Sequence, residues 1–179
     1  MNATEVVERI VKHDPDALIV ASLGTATSAV RRVTNDGPHI YLAGAMGSAI
    51  GVALGVADGR PEQVIAVVGD GELLMGASSL WSLAGLRPSN LSVVVLADGE
   101  YSITGGQPLG MPCTAAAVAR ALGMDGHVAA NGDELDAALA HAGRPAVVEA
   151  LVDEKTWPGP SPFVDPHRVR LQVLARFST

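Results

Sequence analysis

The sequence predicts an α/β domain in which a mostly parallel sheet of five or six strands is doubly wound, with helices on both faces. Hydrophobic residues make up 48% of the 179 residues and charged residues 17%, a balance that supports a buried core and excludes a disordered chain. Aromatic residues contribute only 3%, whereas glycine occurs 20 times, so the core is expected to consist of small aliphatic side chains. Short apolar runs alternate with helical patterns, which is typical of parallel sheets with crossover helices.

Each secondary-structure element is predicted from its own apolar pattern. Apolar runs without helical spacing predict strands at residues 17–22, 39–43, 64–68, 91–97, 126–130 and 146–151. Apolar residues at helical spacing predict helices at residues 4–12, 25–33, 46–58, 73–86, 114–122, 133–141 and 166–177. Asn2 or Thr4 is expected to cap the first helix and Asp165 the last, because short polar side chains accept hydrogen bonds from free backbone N–H groups.

The domain organisation is predicted to be simple. Residues 1–179 show neither an internal repeat nor a second domain, so they are expected to form a single domain. A proline-rich link at residues 157–162 separates its main body from a terminal helix that, with its cap, covers residues 165–177.

Composition also excludes several classes of partner. The net charge is −7 and no basic cluster is present, so nucleic acid and anionic membranes are not expected partners. The most apolar stretch, residues 40–57, is interrupted by four glycines and fits a strand, a turn and a buried helix better than a membrane span. A mixed-charge helix at residues 1–12 does not fit a signal peptide. The single cysteine, Cys113, is expected to be a buried small residue in a cytoplasmic protein.

Loops rich in glycine or small polar residues follow four of the predicted strands. They cover residues 23–25, 44–47, 69–72 and 98–107. In an open parallel sheet, ligands bind beyond the carboxyl ends of the strands. The convergence of these loops therefore predicts a binding site at that edge of the sheet.

Two aspartates are expected at this edge. Gly69-Asp70-Gly71 lies between a predicted strand and a helix, where the glycines allow a ligand to approach the backbone and Asp70 offers a hard oxygen. Asp98 lies 28 residues later, at the end of the next long strand. Adjacent carboxylates repel one another unless a cation lies between them, so the pair is consistent with a cation that bridges the protein to a diphosphate. Tight turns capped by each aspartate explain the same residues without a ligand.

The same residues resemble the cofactor motif of thiamine-diphosphate enzymes, which runs from Gly-Asp-Gly through a helix and an apolar strand to a paired Asn. Here the motif begins at Gly69-Asp70-Gly71 and ends in Ala97-Asp98-Gly99. Residues 99–107 look like a loop found in the small (beta) subunits of sulfopyruvate decarboxylase and in the C-terminal half of phosphonopyruvate decarboxylases. Residues 41–47 resemble the Gly-Ser-Met-Gly segment of these proteins. The resemblance covers nearly the whole chain and indicates the C-terminal, diphosphate-binding domain of the family.

The resemblance implies roles for residues of all four loops. Asp70, Asp98 and the backbone carbonyl of Glu100 would bind Mg²⁺. The Gly44 carbonyl would accept a hydrogen bond from the aminopyrimidine, and Met46 would keep the cofactor bent. The residues implied in binding thiamine diphosphate are Gly24, Thr25, Gly44, Ala45, Met46, Gly69, Asp70, Gly71, Glu72, Asp98, Glu100, Tyr101 and Ser102, and the possible substrate contacts are Thr104 and Gln107.

Four residues depart from the family pattern. Asp98 replaces the paired Asn and adds a negative charge, and Ala97 lacks the polar side chain that is usual before it. Glu72 stands where many relatives have Ser, and Glu100 adds a further acid. A weakened or altered cofactor site is the expected consequence of these departures.

The resemblance also implies a partner. In these enzymes, the glutamate that activates the aminopyrimidine lies on a pyrimidine-binding domain with its own α/β fold. No catalytic residue is therefore expected in this chain, which would be inactive alone. A separate pyrimidine-binding subunit would supply the glutamate, in an α2β2 or larger assembly with the active site at the interface.

The expected activity is the non-oxidative decarboxylation of a small anionic 2-oxoacid, with sulfopyruvate and phosphonopyruvate as the named candidates. Two other functions stay open. One is a thiamine-diphosphate carboligase subunit of the acyloin- or acetolactate-synthase type, and the other is a degenerate module that binds the cofactor without turnover. A dinucleotide-binding domain is disfavoured, because residues 23–28 do not carry the Gly-x-Gly-x-x-Gly pattern after the first strand.

Overall fold

The computed structural model describes residues 1–141, 143, 145–153 and 157–178 of the chain. The strands in this part are β1 (Leu18–Ala21), β2 (Ile40–Tyr41), β3 (Val64–Gly69), β4 (Leu91–Ala97), β5 (Glu100–Tyr101), β6 (Gln107–Pro108), β7 (Asp125–Ala129) and β8 (Ala146–Leu151). The α-helices are α1 (Ala3–His13), α2 (Thr25–Thr34), α3 (Ala49–Gly59), α4 (Asp70–Met75), α5 (Ser79–Leu86), α6 (Ala115–Ala121), α7 (Gly132–His141) and α8 (Pro166–Phe177). A 3₁₀ turn covers Ser102–Thr104.

Six strands form one parallel sheet in the order β2-β1-β3-β4-β8-β7, and β5 pairs with β6 in a separate antiparallel hairpin. The predicted doubly wound α/β fold is confirmed, and its sheet has six strands. β3 and β4 are neighbours, with Gly69 opposite Leu96. Their carboxyl ends therefore emerge together, which places Asp70 and Asp98 at adjacent points of the same edge.

Helices cover both faces of the sheet. On one face, α1, α2 and α7 pack on the strands through fully buried side chains that include Val7, Val30 and Leu135. On the other face, α3, α5 and α6 do so through a second cluster that includes Ile50 and Leu80. Burying an aliphatic side chain of this size contributes roughly 1.5–3 kcal/mol, so the two clusters hold the sheet as a firm platform for its loops.

Several predicted boundaries are confirmed. β4, β8 and α8 have the predicted bounds. Asn2 caps α1 by accepting a hydrogen bond from the Glu5 N–H at 2.8 Å, and Asp165 caps α8 by accepting one from the His167 N–H at 2.9 Å. Helix α8 contacts the edge strand β2. None of the helices in the described ranges is both long and apolar enough to cross a bilayer.

Three local predictions are wrong. The single helix predicted at residues 73–86 is two helices, α4 and α5, because the chain turns at Gly76, which packs on the backbone of Gly47. The helix predicted from residue 46 begins at Ala49, since Gly47 adopts a φ of 83°, outside the right-handed helical region. Cys113 is exposed rather than buried.

The second strand is shorter than predicted, and a histidine side chain replaces part of its hydrogen bonding. β2 covers only Ile40–Tyr41 instead of residues 39–43. His39 is buried, and its Nδ1 accepts a hydrogen bond from the Ile19 N–H at 3.2 Å. Burial, helped by the charge of Arg176, lowers the pKa of His39 to about 4. The ring is therefore neutral near pH 7 and free to accept that hydrogen bond.

Candidate functional site

A cavity of about 230 Å³ lies at the carboxyl edge of the sheet, where β1, β3 and β4 end. All four loops predicted to form a site contribute to its wall. The lining residues are Ser22, Leu23, Thr25, Ala26, Gly44, Met46, Gly69, Asp70, Gly71, Glu72, Leu96, Asp98, Glu100, Tyr101, Ser102, Ile103, Thr104 and Val152. Among the residues predicted for the site, Gly24, Ala45 and Gln107 are not part of this wall.

Asp70 is the first residue of α4 and links the ends of two strands. Its side chain is only 5% exposed. Oδ1 accepts a hydrogen bond from the Gly71 N–H at 2.8 Å, and Oδ2 accepts one from the Gly99 N–H, also at 2.8 Å. The second bond joins the end of β3 to the turn that follows β4.

The electrostatic environment of Asp70 favours a nearby cation. Burial, together with the charge of Asp98, raises the pKa of the Asp70 carboxyl to about 6, although the N–H donors of Gly99 and Gly71 oppose the shift. A buried carboxylate beside a second acid is stabilised when a cation binds between them.

Asp98 follows β4 and orders the turn beside Asp70. Its Oδ1 accepts a hydrogen bond from the Glu100 N–H at 3.1 Å, and the Ser102 hydroxyl donates to Oδ2. No group of three or more His, Cys, Asp or Glu side chains in the described residues is placed to hold a metal. A metal at Asp70 and Asp98 would therefore need backbone and ligand oxygens in addition.

Glu72 is buried and contacts a different loop. It is 5% exposed, and its Oε1 accepts hydrogen bonds from the N–H groups of Gly47 at 3.0 Å and Ala49 at 3.2 Å. The carboxylate thus lies at the N-terminus of α3, where the helix dipole favours negative charge. Burial raises the pKa of Glu72, whereas the N–H groups of Ala49 and Gly47 counteract this rise.

Met46 and Gly44 belong to the turn that precedes α3. Both line the cavity, and the Met46 side chain is 38% exposed. The Ser48 hydroxyl donates to the Ala45 carbonyl at 2.7 Å and closes the turn. Met46 is therefore a wall of the cavity rather than a residue of the core.

Two side chains from the loop after β4 lie directly on predicted diphosphate-binding glycines. A Cβ at Gly71 would lie 2.7 Å from Tyr101 Cε1, and a Cβ at Gly24 would lie 2.5 Å from Ile103 Cδ1. A side chain at either position would force its neighbour to shift, at little cost for the flexible end of Ile103 and at more cost for the Tyr101 ring. Gly24 also has a φ of 73°, a backbone conformation that residues other than glycine rarely adopt.

The two predicted substrate contacts lie in the same loop. Thr104 lines the cavity, and its hydroxyl donates to Gln107 Oε1 at 2.9 Å. Gln107 itself is exposed and in turn donates to the Thr104 carbonyl at 2.8 Å. The structure thus brings Thr104 to the cavity and leaves Gln107 outside the wall.

Ser22 was missed by the sequence analysis. It is fully buried and lines the cavity, yet its hydroxyl has no hydrogen-bond partner among the described residues. An unpartnered buried hydroxyl is costly and suits a site that receives a polar ligand. Its position at the carboxyl end of a predicted strand places it near the site, but only the buried hydroxyl singles it out.

Comparisons with known proteins identify the class. Residues 21–150 match the family described as "Thiamine pyrophosphate enzyme, C-terminal TPP binding domain", in which thiamine pyrophosphate is the same compound as thiamine diphosphate. The match covers more than half of the chain, and the chain therefore belongs to this family. The resemblance inferred from the Gly-Asp-Gly motif and its spacing is confirmed.

The relatives within this family are decarboxylases. Phosphonopyruvate decarboxylase of Streptomyces viridochromogenes is 38% identical over 139 residues, which cover 76% of this chain and 35% of that protein. Sulfopyruvate decarboxylase subunit beta of Methanococcus maripaludis is 27% identical over 149 residues, which cover 80% of each chain. This chain thus spans about a third of the length of the phosphonopyruvate decarboxylase and four fifths of the beta subunit.

Solved structures agree on the fold. An X-ray structure of a putative thiamin diphosphate-dependent enzyme from Mycobacterium smegmatis superposes with a TM-score of 0.65 and 25% identity, over 85% of this chain and 32% of that one. Benzoylformate decarboxylase from Polynucleobacter necessarius superposes with a TM-score of 0.68 at 16% identity, over 87% of this chain and 33% of that one.

Proposed function

We propose that this chain is the diphosphate-binding subunit of a thiamine-diphosphate- and Mg²⁺-dependent 2-oxoacid decarboxylase. A separate pyrimidine-binding subunit would complete the active site. The observation that carries the proposal is the convergence of Asp70 and Asp98 on one cavity, in a chain of the thiamine-diphosphate family.

The residues at the cavity fit the metal and the diphosphate. Asp70, Asp98 and the Glu100 carbonyl would hold Mg²⁺, which prefers six oxygens and fills the remaining positions from phosphate and water. The raised pKa of Asp70 supports this fit, because a cation there would offset the cost of burying the carboxylate. The unpartnered hydroxyl of Ser22 supplies a donor suited to a phosphate oxygen.

Helix α2 supports the same assignment. It begins at Thr25 with Gly24 as N-cap, and no side chain caps it. The Thr27 N–H donates to the Ser22 carbonyl. The N–H groups of Thr25 and Ala26, together with the helix dipole, would favour an anion. The close approach of the backbone at Gly24 would let a diphosphate oxygen reach these groups once Ile103 moves aside.

The protein would orient and shield the cofactor while the cofactor supplies the electron sink for loss of CO₂. Gly44 and Met46 would contact the pyrimidine side, where a flexible thioether adapts to the ring. Tyr101 and Ile103 line the cavity, where they would cover the diphosphate and exclude water from it.

The charge of the cavity supports a second subunit. Its wall contains Asp70, Glu72, Asp98 and Glu100, and none of the described lining residues is Lys, Arg or His. A small anionic 2-oxoacid such as sulfopyruvate or phosphonopyruvate needs cations to bind its acidic groups. We propose that the partner brings these cations together with the activating glutamate, in an α2β2 or larger cytoplasmic assembly.

Native mass spectrometry of the chain purified from its own cells, with Mg²⁺ and thiamine diphosphate present, tests the proposal. The expected result is a complex with a second chain of similar size and bound cofactor, which would then release aldehyde from a 2-oxoacid. A homo-oligomer that does not bind thiamine diphosphate at saturating concentration would refute it.

A substitution at the proposed metal site provides a second test of the proposal. Asp70→Ala is expected to weaken Mg²⁺-dependent cofactor binding by about 100-fold or more, because a charged ligand is lost. Asp58→Ala, which removes an exposed acid of α3, is the control and should bind normally. Unimpaired cofactor binding by Asp70→Ala, measured by isothermal titration calorimetry, would remove Asp70 from the site.

A degenerate binding module remains the second candidate, favoured by the extra acid at Asp98. Asp98→Asn, which restores the residue of the family motif, separates the two. If the wild-type complex binds the cofactor but turns over no 2-oxoacid, and Asp98→Asn gains activity, then the module reading is correct. If the wild-type complex forms an acyloin instead of an aldehyde, then the chain is a carboligase subunit.

A further inference from the structure

We infer that Glu72 is a positioning residue that fixes the turn carrying Gly44 and Met46 relative to the metal-binding Asp70. The inference rests on the proposed function, since it concerns how the same site holds thiamine diphosphate. It assigns Glu72 a role that lies outside metal binding.

The contacts of Glu72 place it between two elements of the site. Its buried carboxylate accepts hydrogen bonds from the N–H groups of Gly47 and Ala49, at 3.0 and 3.2 Å. The N-cap of α3, Ser48, accepts no cap hydrogen bond through its side chain, and its hydroxyl donates to the Ala45 carbonyl. The N-terminus of α3 is therefore capped by a residue of α4.

A second contact holds the same turn. Gly76, one helical turn after Glu72, packs so closely on Gly47 that a Cβ at Gly76 would overlap the Gly47 carbonyl oxygen. Gly47 also requires glycine, because its φ is 83°. Helix α4 thus holds the turn at residues 44–48 at two points, one polar and one by close backbone packing.

The same short helix carries the metal-binding aspartate. Asp70 begins α4, and Glu72 follows two residues later. A cofactor whose diphosphate binds at Asp70 and whose pyrimidine lies against Gly44 and Met46 would have both ends placed by one rigid element. Because a preformed turn loses less conformational entropy on binding than a mobile one, the carboxylate of Glu72 is expected to raise cofactor affinity without touching the metal.

The test combines amide exchange with cofactor affinity. Hydrogen exchange of Gly47 and Ala49 is measured by NMR on the full chain, and the Kd of thiamine diphosphate with Mg²⁺ is measured by calorimetry on the purified complex. Glu72→Ala is expected to accelerate both amides and to raise the Kd by about tenfold. Glu72→Gln keeps an acceptor oxygen and should stay within about threefold of wild type in both measurements.

Glu149→Ala is the matched control. Glu149 is also buried and caps α6 by accepting a hydrogen bond from the Ala116 N–H at 3.1 Å. Neither Glu149 nor Ala116 lines the cavity. The substitution should accelerate exchange at Ala116 and leave the Kd unchanged. If Glu72→Ala does not fold, Glu72→Asp replaces it, since a carboxylate one methylene shorter keeps the charge and loses the reach.

The outcomes separate the inference from the proposed function. Fast exchange at Gly47 and Ala49 with an unchanged Kd in Glu72→Ala would mean that Glu72 only caps α3, and would overturn the inference alone. A Kd raised equally by Glu149→Ala would also overturn it, because the effect would then come from general stability. A wild-type complex that does not bind thiamine diphosphate would overturn the proposed function, and this inference with it.

Discussion

The N-termini of α3 and α6 belong to the same helical layer, and each is capped by a buried glutamate from another element. Glu72 caps α3 from α4, and Glu149 caps α6 from β8; each is 5% exposed. α6 also has a cap of its own, since the Thr114 side chain accepts from the Ala117 N–H at 3.1 Å. No such side-chain cap serves α3.

The difference lies in what precedes each helix. The turn before α3 carries Gly44 and Met46, which line the cavity. Neither α6 nor the segment at residues 105–114 that precedes it contributes a residue to the cavity wall. The same chemistry therefore holds part of the site at α3 and part of the scaffold at α6. A buried carboxylate at a helix N-terminus indicates function only through the residues that its helix and turn present.

Substitution of Gly76, which packs on the turn before α3, should have the largest effect. Gly76→Ala is expected to cost about 3 kcal/mol of folding free energy, because its Cβ would overlap the Gly47 carbonyl and the backbone must shift. Cofactor affinity should fall as well, since the turn at residues 44–48 moves. Urea unfolding and calorimetry measure the two effects.

Gly85→Ala is the control for this substitution. Gly85 lies in α5, and a Cβ there would meet no atom within 4 Å. Alanine should stabilise the helix by about 0.5–1 kcal/mol and leave the cofactor affinity unchanged. If Gly76→Ala were as stable as wild type and bound cofactor equally well, the close contact at α3 would have no consequence.

Removal of the Glu149 carboxylate, which caps α6, should have the second largest effect. It should change stability alone. Glu149→Ala leaves the buried Ala116 N–H without its acceptor, which costs about 2 kcal/mol. Glu149→Gln keeps an acceptor and should lose less. The free energy of unfolding from urea titration checks both variants, and weakened cofactor binding by Glu149→Ala would remove the contrast between the two helices.

Acidification is expected to have the smallest effects. It should destabilise the fold through His39 and weaken cofactor binding through Asp70. The pKa of His39 is lowered from 6.5 to about 4, so its contribution to stability is complete above pH 6.5 and is lost as the pH falls towards 4. Between pH 7 and 5.5 the contribution of His39 should fall by about 1 kcal/mol, because the unfolded chain takes up the proton first. Asp70, whose pKa is raised to about 6, takes up a proton first in the folded chain and should offset part of this loss.

Melting temperatures across this pH range test the prediction. His39→Asn, which keeps an acceptor for the Ile19 N–H, should lose less stability than wild type, or gain some, as the pH falls. His13→Asn at the exposed end of α1 should follow wild type. Mg²⁺-dependent cofactor binding should also weaken below about pH 6, where Asp70 takes up a proton, and this loss should persist in His39→Asn. An unchanged slope in His39→Asn would contradict the assignment to His39.

The sequence predicted most of the fold and the edge of the sheet at which the cavity lies. Apolar runs such as residues 91–97 and 146–151 are almost entirely buried, and their pattern alone identified them as strands. Glycine-rich loops after such strands pointed to the carboxyl edge, and the family match confirmed the resemblance that the motif at Gly69-Asp70-Gly71 indicated.

Other features escaped the sequence analysis because they depend on contacts between distant residues. The break between α4 and α5 follows from the packing of Gly76 on Gly47, 29 positions away. The two partners of Glu72, Gly47 and Ala49, lie at the N-terminus of another helix, and the local sequence around Glu72 gave no sign of them. Likewise, Ser22 became a candidate only once its hydroxyl was found buried at the cavity without a partner.

By itself, the sequence determined the doubly wound α/β fold, the family, and the acids and glycines at the carboxyl edge. These depend on local periodicity and on residue types at fixed spacing, which a linear chain displays directly. The tertiary structure alone decided that Asp70 is buried beside Asp98, with its pKa raised to about 6, and that Glu72 holds the turn of Met46. Burial and hydrogen-bond partners across the fold arise only when strands and helices pack, so no local pattern specifies them.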